Sequence, residues 1–148
     1  MSVTGGSSAL HLLLAYEIKC SCFAQAISEV YHDKAISLNI KQDKLSHLYN
    51  SLMEDHDKII DLILLDKNAG YANPMLGVLN RLKCGLQKIW SKCTYIFDKA
   101  VDCSGDEYKY MLSTNIEAID EYFVQLTKDF HKAKAMAAAI QNNHTDLN

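Results

Sequence analysis

Long stretches of this sequence repeat apolar residues every three or four positions, and this period limits the possible folds more than any other feature. The clearest run is Leu79, Leu82, Leu86, Ile89, Cys93, Ile96 and Ala100. Such spacing lays side chains along one stripe of an α-helix, whereas a half-buried strand needs strict alternation. Little interrupts the pattern, since 148 residues hold one proline, Pro74, and six glycines. Sandwiches and barrels need many turns, so the chain reads as all-α.

Four helical segments follow from capping and breaking residues. Ser7 or Ser8 can cap a first helix over about 8–33, with a seam of Leu10, Leu13, Glu17, Cys20, Ala24, Ile27 and Tyr31. Asp43 is the expected cap of a second over about 43–66, where Leu45, Leu48, Leu52, Ile59 and Ile63 share a face and His56 fills the gap. Asp66-Lys67-Asn68-Ala69-Gly70 stops that helix, and Asn73-Pro74 opens a third over about 75–101. A fourth runs over about 106–140, before a polar tail at 141–148. A helix of that length overshoots its partners, so a bend or break near Lys128–Lys132 is expected. Short links favour antiparallel neighbours, hence an up-down-up-down four-helix bundle forming a single domain over 1–148.

Charge adds an expectation about pairing. Residues 43–66 carry a net of −4 and residues 81–99 a net of +4, which favours placing helices two and three side by side. The whole chain is at −3, which argues against a nucleic-acid partner. The apolar run from Ala9 to Tyr16 has no basic residues before it and is too short to span a bilayer, so no membrane association is expected. Five cysteines, an odd number without a Cys-x-x-Cys, fit reduced core thiols and a cytoplasmic location.

Glu17 stands out because every other member of its seam is apolar or small. A carboxylate facing a bundle interior must be paired, protonated or bound to a metal. His56 sits in the corresponding face of helix two. Together with the helix lengths and loop placement, the inward Glu17, the pattern Gly77-x-Leu79-x-Arg81 and Trp90 resemble the ferritin-like four-helix bundles, in particular small bacterial members of unassigned function, over about residues 9–140. The resemblance implies a carboxylate and histidine site holding iron, manganese or zinc, with a Glu on two helices and a Glu-x-x-His on the other two. Glu17 matches the first-helix Glu and His56 the second-helix His. Met53 stands where the paired Glu belongs, the third seam offers no carboxylate, and Glu117 and Glu121 are followed three residues on by Asp120 and Val124.

The remaining constellations are weaker. Glu54-Asp55-His56-Asp57 are consecutive, so on a helix they fan outward rather than converge. Cys20 and Cys93 fall on seams and read as inert, while Cys103, in the loop before helix four, is the one candidate redox thiol. Tyr108, Tyr110, Tyr122 and Phe123 read as core and boundary packing, with a partner surface as the alternative. No catalytic residue is assigned. The sequence therefore favours a non-enzymatic bundle with no cofactor, working by protein association or as a homo-oligomer such as a dimer. The alternative is a metal or redox protein built on Glu17 and His56.

Overall fold

The computed structural model describes the backbone of residues 5–32, 38–65 and 69–146, and the side chains of residues 9–32, 39–65 and 74–139. The described residues form four helices: α1 (Gly5–His32), α2 (Leu38–Leu65), α3 (Ala69–Ala100) and α4 (Gly105–Asp146). Among the described residues there is no strand. Each helix packs on the two neighbours that a ring arrangement gives it: α1 on α2, α2 on α3, α3 on α4, and α4 back on α1. Cross-helix contacts fix the directions. Along α1 the pairs Tyr16–His56 and Phe23–Tyr49 run opposite ways on α2, and Arg81–Asp129 and Lys88–Tyr122 do the same between α3 and α4. The bundle is up-down-up-down, as the short links require.

Several boundaries differ from expectation. α1 starts at Gly5 rather than near residue 8, and α2 starts at Leu38, so Asp43 lies inside it and does not cap it. Nothing in Leu38-Asn39-Ile40-Lys41-Gln42 breaks a helix, which lets α2 begin a turn earlier. α3 starts at Ala69 and contains Pro74. Its missing N–H falls near the helix start, where only one backbone bond is forfeited. α4 runs to Asp146 without the break expected near Lys128–Lys132. After Gly105 that helix has neither proline nor glycine, the usual causes of a kink. Gly105 takes a left-handed φ of 61°, which a glycine adopts without strain. The preceding turn is closed by the amides of Asp102 and Cys103 on the Lys99 carbonyl, both at 3.0 Å.

The interior is organised in layers that take one side chain from each helix. In the middle layer Phe23 meets Tyr49 and Phe123, and Tyr49 stacks on Trp90 at 5.1 Å and 11°. One end is closed by Tyr31, which lies against Phe97 and donates its hydroxyl to the Cys93 carbonyl at 3.3 Å. Toward the other end Tyr16, His56, Leu79 and Phe130 form the layer that contains the most polar chemistry.

Gly85 matters where α3 meets α4. A Cβ there would lie 2.9 Å from Leu126 Cδ2, so the missing side chain lets the helices approach. Helices α2 and α3 are adjacent, as their opposed charges led us to expect, but the ion pairs lie at the other interfaces. They join α1 to α2 (Lys19–Asp55, 3.0 Å), α3 to α4 (Arg81–Asp129, 3.5 Å) and α4 to α1 (Lys134–Glu17, 2.9 Å). None among the described residues joins α2 to α3, although the two helices are adjacent. The rotation of α3 turns Arg81 and Lys88 toward α4 instead.

Candidate functional site

Of the predicted site residues, Glu17 does not lie where the simple seam put it, whereas His56 does. On α1 the buried positions are Ala9, Leu13, Tyr16, Cys20, Phe23, Ala26, Ile27, Val30 and Tyr31. Two stripes with the same three-four rhythm share Leu13, Cys20 and Ile27. One adds Leu10, Glu17, Ala24 and Tyr31; the other adds Ala9, Tyr16, Phe23 and Val30. Burying a Tyr and a Phe removes far more apolar surface than burying a Glu and an Ala, so the helix rotates toward the second stripe.

Glu17 is consequently at the α1/α4 edge, with its side chain 31% exposed, and Lys134 donates to its Oε1 at 2.9 Å. It is paired, one of the three fates open to a carboxylate in that position, but the pair is at the rim of the core. Lys134 escaped notice in the sequence because it lies 117 positions away.

His56 is buried, as its place in the α2 stripe implied. Its Nε2 lies 3.0 Å from the Leu79 carbonyl. A carbonyl can only accept, so Nε2 carries the proton and, in the neutral ring, Nδ1 is a lone-pair acceptor. Nδ1 has no hydrogen bond; the nearest charged oxygen is Asp57 Oδ1 at 3.7 Å, on an exposed side chain. Beside it stands Tyr16, fully buried, with its ring edge-on to Phe130 at 5.1 Å and to His56 at 6.3 Å. The Tyr16 hydroxyl also has no partner. Burial, and then the neighbouring Cys20 and the carboxylates of α2, push its ionisation far above the usual tyrosine range. One core layer therefore holds an unmatched donor and an unmatched acceptor.

Glu17 and His56 have partners on different helices, Lys134 on α4 and Leu79 on α3. Among the described residues no group of three or more His, Cys, Asp or Glu side chains is placed to hold a metal ion. The consecutive acids do fan out, with Glu54 and Asp57 exposed and Asp55 turned to Lys19 of α1.

The thiols also divide differently. Cys20 and Cys93 are buried, and burial pushes both upward, Cys93 to about 12. Cys22 and Cys84 are the exposed pair, whereas Cys103 is half-buried and points its S–H at Glu107 Oε1 at 3.6 Å. Partial desolvation and that carboxylate raise the Cys103 thiol, which is the opposite of what activates a redox cysteine.

Asp129 is a further feature that spacing alone did not reveal. It is almost fully buried on α4, held by Arg81 Nε and Gln125 Nε2, each at 3.5 Å from Oδ1. The aromatic stripe proposed for α4 separates: Tyr122 lies under Lys88 of α3, Phe123 meets Phe23 of α1, and Tyr110 is exposed.

On the outside, a shallow groove of about 290 Å³ runs between α1 and α4, lined in part by Glu17, Ile18, Ala24, Phe123, Thr127 and Phe130. On these two helices Leu14, Ile18 and Val124 are exposed at 41%, 64% and 59%. No helix among the described residues is long and apolar enough to cross a membrane. No protein-family profile matches the chain, and no curated protein or solved structure matches it.

Proposed function

We propose that this protein acts through association with another protein surface, without catalysis of its own. The observation that carries the reading is the apolar α1/α4 face. Apolar residues scattered singly on a surface need no explanation. Here Ile18 lines a groove that continues inward to Phe123 and Phe130, and the same two helices expose Leu14 and Val124. Burying one such aliphatic side chain contributes about 1.5–3 kcal/mol, so covering two or three would support a weak complex. The experiment is a light-scattering mass series over protein concentration. A mass that rises with dilution reversed supports the reading; a constant monomer that also fails to co-purify with any partner counts against it. Five free thiols fit a reducing compartment, so the cytoplasm is the proposed location.

A second reading has its own observation. The bare Nδ1 of buried His56 is a metal-ligand type, and a four-helix bundle is compatible with a ferritin-like fold. Iron, manganese or zinc would then sit near His56, with Glu17 freed from Lys134 to reach it. Ferritin-like folds carry one long crossover, whereas only residues 66–68 separate α2 from α3 here. Elemental analysis of protein purified without a metal-affinity tag decides this reading: stoichiometric metal that disappears in His56→Ala supports it, and metal-free protein removes it.

A further inference from the structure

We propose that the partner is a second copy of this chain, laid antiparallel along α4 about a two-fold axis at Val124. This rests on the association reading and gives it an occupant and a geometry.

The outer stripe of α4 reads, in order, Glu117, Asp120, Glu121, Val124, Lys128, His131 and Lys132, all exposed. Steps of three and four residues keep them on one side of a helix with about 3.6 residues per turn. Three acids thus precede an exposed apolar residue, and three basic side chains follow it. The pattern is its own complement when reversed. With Val124 facing itself, Glu117 comes opposite Lys132 and His131 of the partner, and Asp120 and Glu121 come opposite Lys128. An isologous contact requires this kind of self-complementarity.

Inside one chain the same stripe is unfavourable. Glu117 and Glu121 are like charges at i,i+4, and so are Lys128 and Lys132, an arrangement that disfavours a helix. The helix dipole does not account for it, because its effect fades within the terminal turns and these residues lie several turns from Gly105 and Asp146. Nor do the ion pairs of the bundle absorb it. Lys134 goes to Glu17 and Asp129 to Arg81, while among the described residues none of the six ionisable stripe residues has an ion-pair partner. A copy running the other way offers each acid a base and covers Val124. Ile18 of α1, which shares the groove with Thr127 and Phe130, lies beside the basic half and widens the apolar centre.

The test uses the full chain and two double variants. E117K/E121K leaves Asp120 as the one acid of the stripe, and K128E/K132E leaves His131 as its one basic side chain. Mass is measured by sedimentation at low and high salt, with helical circular dichroism to verify folding. The expected result is a wild-type dimer that weakens with salt, two folded variants that are each monomeric, and a one-to-one mixed dimer when they are combined. Dimers that persist in both variants would refute the α4 interface and leave association standing through another face. Monomeric variants that fail to combine would refute the antiparallel register. A wild-type chain monomeric throughout would refute the second copy as occupant, and capture of a different protein would then be the remaining form of the association reading.

Discussion

Tyr16→Phe should stabilise this protein. The Tyr16 side chain is fully buried, and its hydroxyl has no hydrogen-bond partner. A buried, unmatched polar group costs about 1–3 kcal/mol relative to the unfolded chain, where water satisfies it. Replacing the hydroxyl with hydrogen keeps the ring, so the edge contacts with Phe130 at 5.1 Å and His56 at 6.3 Å survive. The void left by one oxygen is smaller than a methyl group, and at about 24 cal/mol per Å³ of cavity it offsets only a few tenths of a kcal/mol. The net expectation is a gain of about 1–2 kcal/mol. For a chain of this size that raises Tm by roughly 3–6 °C. Urea unfolding followed by circular dichroism should show a higher midpoint with an unchanged slope. A loss of 1 kcal/mol or more would refute the argument. It would mean that the hydroxyl has a partner in solution, with the lone pair of His56 Nδ1, reached directly or through a water, the first candidate.

Other expectations follow from the same geometry. Gly77 lies exposed in α3 with nothing within 4 Å of an added Cβ, so Gly77→Ala should add about 0.5–1 kcal/mol through helix propensity alone. Gly85→Val should instead lose about 1–3 kcal/mol beyond Gly77→Val, because its branches meet Leu126 and force α3 from α4; equal values in urea titrations would discount that close approach. The Cys93 thiol ionises at about 12 in the folded protein against an ordinary 9.0. The native state therefore keeps a proton that the unfolded state releases, and the associated stability is intact below pH 9.0 and lost as pH rises toward 12. The slope is about 1.4 kcal/mol per pH unit for each such group, and Cys93→Ala should flatten alkaline unfolding curves by that amount. Thiol titration of the native chain should label Cys22 and Cys84 first and Cys103 more slowly, with Cys20 and Cys93 protected until unfolding. Rapid reaction of Cys20 would contradict its burial.

The sequence by itself determined the class of fold. Three-four periodicity, one proline and few glycines leave a chain no economical way to bury its apolar residues except as long packed helices, and links of a few residues then force neighbours to run antiparallel. It also determined that His56 and the seam of α3 face inward, since no competing stripe exists there. Rotation of α1 was a matter for tertiary packing. Two stripes of equal rhythm differ by one residue, and only contact with Phe123 and Phe130 on α4 and with Tyr49 and His56 on α2 selects the one containing Tyr16 and Phe23. That one-residue choice moved Glu17 to the rim and left the Tyr16 hydroxyl inside. Its partner Lys134, like the Arg81–Asp129 contact, joins residues far apart in the chain, and no local pattern encodes which charges will meet. Periodicity is a property of one helix, whereas the facing of side chains across a bundle is decided by all four helices at once, because each must fill the volume left by the others.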